Sequence, residues 1–245
     1  TDSGNLTITG AATFITGIAE SNIVLDSSGN VFSNSVEMKA DDGTAAFGNI
    51  TFVDSAGIDF ATSAGSNGDL FINSSTDGTV GGNLSVTATT GNITDTVALA
   101  ISGTSSFTTS ATNGTIVLNT PAALSGAVTL STTGASGNAT IDNGTTALNI
   151  AASTIGGNLT VTSGAAAGIT DSGTVTVAGN LVATTDDNDG VIDLGQMAVD
   201  GTVALTTNGN GAATIVNDAG LSFAASTVGG ALSATATNGD ITDSG

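Results

Sequence analysis

Thr1-Asp2-Ser3-Gly4 returns as Thr170-Asp171-Ser172-Gly173 and as Thr242-Asp243-Ser244-Gly245, with a partial copy at Thr94-Asp95-Thr96. The copies run on without gaps: TDSGNLTITG from Thr1, TDTVALAISG from Thr94 and TDSGTVTVAG from Thr170 all end on glycine, at Gly10, Gly103 and Gly179. A second signature recurs at Val80-Gly81-Gly82-Asn83-Leu84, Ile155-Gly156-Gly157-Asn158-Leu159 and Val228-Gly229-Gly230-Ala231-Leu232. The interval from Gly82 to Gly157 nearly equals that from Gly157 to Gly230, so the chain is a tandem repeat and architecture must be read before chemistry. The expected organisation is one continuous stack over residues 1–245, with units near 1–79, 80–154 and 155–227 and the start of another at 228–245. Both ends fall at the same point of the repeat, which reads as an internal slice of something longer.

Within each unit a glycine is followed by apolar residues two and four positions on: Gly82 by Leu84 and Val86, Gly157 by Leu159 and Val161, Gly201 by Val203 and Leu205. Period-two alternation marks strands, and the Thr, Val and Ile that fill it favour them. From Gly82 the marked glycines follow at Gly103, Gly126 and Gly157, two short intervals and then a longer one. Spacings in the low twenties with Gly, Asn, Asp and Ser turns fit the rungs of a parallel β-helix, whose turns bury an apolar face only by stacking. The fold expected is therefore all-β: a parallel β-solenoid with rungs of about 21–31 residues, a longer third rung holding the extra strand Leu148-Asn149-Ile150, and uncapped ends. Ten or eleven rungs make a rod roughly 50 Å long. In the first unit Gly65 to Thr79 reads as an insertion, because Ile58-Asp59-Phe60-Ala61 already matches Leu148-Asn149-Ile150-Ala151 and Leu221-Ser222-Phe223-Ala224.

Composition narrows the function. One Lys, no Arg, no His and 21 acids give a formal net charge of −20, which disfavours nucleic acid and anionic membrane surfaces. Apolar segments are short, so no membrane insertion is expected. Cysteine is absent, and without His or Tyr a nucleophilic triad has only Lys39 as a basic partner; carboxylate pairs suit glycoside hydrolysis in principle but are not placed on matched strands, so the chain is not expected to be an enzyme. No cofactor is expected, with one candidate exception for Ca²⁺. In Asp186-Asp187-Asn188-Asp189-Gly190, followed by Asp193, the carboxylates of Asp187, Asp189 and Asp193 have the alternating oxygen chemistry that suits a hard cation. The competing reading of these residues, and of Asp41-Asp42-Gly43, is a solvated turn. Thr-x-Thr pairs such as Thr87/Thr89 and Thr160/Thr162 suit an ice-binding surface only if they stack. Recurring about once per unit, they are expected to form no continuous ladder. Sequons such as Asn83-Leu84-Ser85 are expected by chance in so Asn- and Thr-rich a chain.

The tracts GGNLTVTSGAAAGITDSGTVTVAGNL and VGGNLSVTATTGNITDTVALAISG resemble the repeats of filamentous-haemagglutinin-like giant bacterial surface proteins, over most of Val80 to Gly245 and more loosely before it. The resemblance implies a right-handed parallel β-helix, a place on the bacterial cell surface or outside the cell, and a role in adhesion, cell contact or biofilm structure. A structural rod or filament segment is the function expected. Its partners are then further copies or a continuation of the same repeat, head to tail along the solenoid axis. A glycan- or surface-binding adhesive module is the alternative, with ice binding behind it; a binder should carry exposed aromatics, and there is no Trp or Tyr and only eight Phe.

Overall fold

Alternating side chains let each strand put every second residue inward, and the chain uses this throughout. The computed structural model describes residues 1–40, 48–61, 68–72 and 79–244, and within them every paired strand is parallel and no helix occurs. The molecule is a β-solenoid of about ten turns. One turn runs from Leu84–Ala88 on what we call the front sheet to Ile93–Asp95 on the back sheet, then through the short side strand Ala100–Ile101. Ser105–Thr112 then returns to the front sheet, with Ser105 in register beside Leu84. Leu84, Val86, Leu159, Val161, Val203 and Leu205 are all buried in one continuous core, as their place after the repeat glycines predicts.

The long interval before Gly157 hides the principal architectural feature. Its extra strand is present, but Leu159 does not stack on Val128. Leu148–Ile150 and Ser153–Ile155 both lie on the front sheet over the single long strand Val128–Thr133, with Ile150 beside Val128 and Thr154 beside Ser131. Leu159–Ser163 then falls on the back sheet, Leu159 beside Ala139. The stretch from Gly126 to Gly157 therefore holds a complete turn and the following half turn. One unit spans three and a half turns, and consecutive units present equivalent residues on opposite sheets. The Thr-Asp motif obeys the same rule: Asp2 stacks over the front strand Ile23–Leu25, Asp95 is on the back, Asp171 on the front and Asp243 on the back.

At the two later changes of phase the half-turn shift leaves a strand end without a strand above it, and a buried asparagine closes it. Ala123–Leu124 pairs with Ala100–Ile101 below it, and no described strand pairs with it from above. Instead the Leu124 N–H donates to Asn143 Oδ1 at 2.8 Å and Asn143 Nδ2 donates to the Leu124 carbonyl at 3.2 Å. The same amide also reaches the Thr146 and Ala147 carbonyls. One unit later Asn217 does this for Val199, accepting from its N–H at 2.8 Å and donating to its carbonyl at 3.1 Å. Both asparagines have no solvent exposure, and a fully bonded amide is what makes such burial tolerable.

The first unit departs from the later ones in one respect of topology. Asp69–Ile72, inside the expected insertion, enters the back sheet between Val36–Ala40 and Ile58–Phe60, so that Leu70 has Val36 on one side and Phe60 on the other. This strand sits out of sequence order, whereas elsewhere the stack follows the chain. Phe14, Phe32 and Phe52 fill the interior nearby in successive ring contacts of 6.0 and 5.1 Å. Bulkier side chains keep an interior close-packed where the strand spacing is irregular.

Candidate functional site: the polar ladders between turns

Gly-Asn corners recur ahead of strands at Gly48-Asn49, Gly82-Asn83, Gly137-Asn138, Gly157-Asn158 and Gly179-Asn180, and both residues have a job. The asparagine side chain turns along the solenoid axis and accepts a backbone N–H from the following turn. Asn22 Oδ1 takes the Asn49 N–H at 2.7 Å, Asn49 Oδ1 takes that of Asn83 at 2.7 Å, and Asn83 Oδ1 takes that of Thr104 at 2.8 Å. After the half-turn shift the same ladder reappears on the other side as Asn138, Asn158 and Asn180, ending on the Thr202 N–H. The glycine is required by proximity: a Cβ on Gly179 would lie 2.7 Å from the Gly157 carbonyl oxygen, and one on Gly201 would lie 2.4 Å from that of Gly179. The sequon residues Asn83 and Asn158 are thus corner asparagines, followed by an inward leucine and an outward hydroxyl residue.

The Thr-Asp motif supplies a second ladder. Asp2 accepts from the Asp26 N–H at 3.0 Å and from Asn30 Nδ2 at 2.8 Å. Asp95 accepts from the Asn119 and Thr120 N–H groups, and Asp171 from that of Gly195 at 2.6 Å. Each carboxylate therefore binds main chain about one turn ahead. Environment separates the three. The Asn30 amide, with the further N–H donors, lowers the Asp2 carboxyl to about 2. Burial pushes Asp95 and Asp171 above the usual carboxylate range despite their N–H donors. Buried threonines in the long strands pin their own corners, the Thr109, Thr185 and Thr207 hydroxyls donating to the carbonyls of Gly114, Gly190 and Gly211 on the same turn, and Thr132 and Thr207 also accept the Gly156 and Gly229 N–H groups of the following turn at 3.1 and 3.0 Å.

The candidate calcium ligands are not gathered. Asp189 occupies a left-handed turn with φ 62° and accepts the Asn210 N–H at 2.6 Å, while Asp193 faces outward on the front sheet between Thr170 and Thr214. Asp187 lies on the long back strand Leu181–Asn188. Among the described residues no group of three or more His, Cys, Asp or Glu is placed to hold a metal ion. Asp41-Asp42-Gly43 lies outside the described residues.

The threonine expectation needs correction. On the back sheet Thr162, Thr184, Thr206 and Thr227 stand in register on four consecutive turns. On the front sheet Thr87, Thr108, Ser131, Thr154 and Thr176 do the same. Residues at different places in the repeat meet because the repeat is longer than a turn, which a count of one pair per unit does not reveal. A shallow groove of about 320 Å³ on the front face is lined by Thr129, Ser131, Ser153, Thr154, Thr174 and Thr176, with no charged side chain.

Comparison with known proteins adds a family without a function. The family model described as repeats of unknown function (DUF5649) matches residues 1–39, 47–131, 136–187 and 210–245. Searches of curated proteins and of solved structures found no match. The matched segments span every unit of the stack, and the chain belongs to this family of repeats.

Proposed function

We propose that the chain is a segment of an extracellular rod on a bacterial surface, holding more distant parts of an adhesin or biofilm fibre away from the cell. The observation that carries this reading is where the polar side chains point. Corner asparagines, Thr-Asp carboxylates and buried threonines bond the neighbouring turn, so the chemistry is directed along the axis toward more of the same. The outermost turns agree with it. Leu232 and Ile241 are register partners of the buried Ala213 and Leu221 and present apolar surface at 48% and 51% exposure. At the other end the inward Leu6, Ile8 and Phe14 are only partly buried against the core. A further rung of the same repeat, covalent or from another copy added head to tail, would cover them by strand addition. Such a contact does not close on itself and gives a filament along the solenoid axis. Light scattering on residues 1–245 tests this: association into elongated species supports the rod, and a stable monomer with protected terminal amides overturns it.

The hydroxyl rows favour one second reading, adhesion through a flat face to an uncharged glycan or to ice. Saturable binding to neutral polysaccharide, or thermal hysteresis lost in Thr108→Tyr, would support it over a purely mechanical role.

A further inference from the structure

Asp54 occupies the place of a switch asparagine. The segment Phe52-Val53-Asp54-Ser55-Ala56-Gly57-Ile58 aligns without gaps on Ile215-Val216-Asn217-Asp218-Ala219-Gly220-Leu221. The geometry follows the alignment. Asp54 ends the front strand Ile50–Asp54 at 2% exposure, and its Oδ1 accepts the Phe32 N–H at 3.1 Å, as Asn217 Oδ1 accepts that of Val199. Phe32 ends the short strand Val31–Phe32, the first unit's counterpart of the stranded segments closed by Asn143 and Asn217. The two asparagines complete their closure with an N–H donated to the carbonyl of the same residue. An ionised carboxylate has no hydrogen to give, so the closure at Phe32 is complete only with a neutral acid.

The structure assigns to Asp54 the role of a protonated asparagine substitute, which makes the first phase change of the stack a joint that tightens in acid and loosens as the pH rises. Among the described residues, no charged side chain lies on the strands that flank Asp54. The strands stacked on either side of Asp54's own, Ile23–Leu25 and Leu84–Ala88, contain no titratable residue, and neither does Val31–Phe32. Asp26, just after the first of these, donates its N–H to Asp2. Asp59, on the strand that follows, accepts the Thr94 hydroxyl. Glu37 and Lys39 lie on outward positions of Val36–Ala40. Burial raises the Asp54 carboxyl, partly offset by the N–H groups of Phe32, Ser55 and Ala56. Because the folded value lies above the unfolded one, the neutral acid costs nothing at low pH. The penalty grows as pH rises from the unfolded value through the folded one and is complete above it. The inference is independent of the rod reading, since it concerns a joint inside one chain.

Hydrogen-exchange protection factors for the Phe32 amide, measured by NMR on the intact chain between pH 3 and 8, test it. Protection should fall as pH rises, and Asp54→Asn should remove that fall, giving about fivefold or greater extra protection at pH 7, the size of one net hydrogen bond. The reciprocal Asn217→Asp should import the same pH dependence to the Val199 amide while leaving Phe32 unchanged. A Phe32 protection factor that is flat with pH in the parent chain, or a Val199 amide unaffected by pH in Asn217→Asp, would overturn the assignment.

Discussion

The first eighty residues and the two units that follow solve one geometrical problem with different materials. From Val80 onward the core is mainly aliphatic, strands stack in sequence order and the phase changes are closed by Asn143 and Asn217. The first unit holds six of the eight phenylalanines, admits the out-of-order strand Asp69–Ile72 and closes its phase change with Asp54. Yet it too advances the Thr-Asp motif from the front sheet to the back, through Ile23, Ile50 and Leu84 and then a half turn to Ile93. Core size, strand order and the chemistry of the closing side chain can all drift. The half-turn advance and the need to close its stranded segment are what both regions keep.

The largest effect should come from the interior, which both regions share. Val161→Asp puts an unpaired charge at a site with no exposure and should cost about 3–5 kcal/mol, whereas Ile18→Asp, at 72% exposure, should change the denaturant midpoint little. Next comes the closure itself. Asn217→Ala leaves the Val199 N–H and carbonyl without partners and should cost about 3 kcal/mol by denaturant titration, with Asn143→Ala alike. Asp54→Ala should cost less once pH has risen through the folded value of Asp54, because ionisation then leaves the parent closure incomplete. Equal losses would erase the distinction between the regions.

Glycine replacement sharpens the contrast further. Gly179→Ala drives a Cβ into the Gly157 carbonyl and should cost about 1–3 kcal/mol, while Gly17→Ala, with no atom within 4 Å, should be close to neutral. The pH dependence should then split by environment. Asp95 and Asp171 are raised by burial, so they destabilise the stack as pH climbs from the unfolded carboxylate range through their folded values; Asp171→Asn should raise Tm at pH 7 and not at pH 3. Asp2 is lowered to about 2, and its contribution is present above the unfolded range and lost as pH falls toward 2. The smallest effect is expected from chelation: the far-ultraviolet circular dichroism should be unchanged in EDTA, and collapse of the signal would show that a cation holds the turns.

Much of this fold is legible in the sequence because the two strongest signals are local. Alternation after a repeat glycine puts Leu84, Val86, Leu159 and Val161 inward whatever sheet they join, and the rung-like glycine spacing calls for stacking. The phase could not be read the same way. The long intervals from Gly126 to Gly157 and from Gly201 to Gly230 fit one long rung as well as a turn and a half, and only pairing partners distinguish them. That ambiguity also hid the threonine rows, whose members belong to different positions of the repeat. The closing side chains left a faint trace: Asn143 and Asn217 hold corresponding places in successive units, with Ile141 and Ile215 two positions earlier, but a buried asparagine in an Asp/Asn/Gly run looks like any turn. The same resemblance to a turn drew Asp187, Asp189 and Asp193 together as ligands, although the chain places Asp189 at a corner and Asp193 on a face.

The half-turn advance is tested most directly by cross-linking, since the chain has no cysteine of its own. In the double variant Thr140→Cys/Thr160→Cys the two positions are register partners on adjacent back strands, within about 4.8 Å and so inside disulfide range. If instead the stretch from Gly126 to Gly157 made a single rung, Thr160 would stack on Thr129, and Thr129→Cys/Thr160→Cys would be the pair in reach. Mild oxidation followed by mass spectrometry should show a disulfide in the first variant and free thiols in the second. The opposite outcome would place equivalent residues of successive units on one sheet and contradict the account.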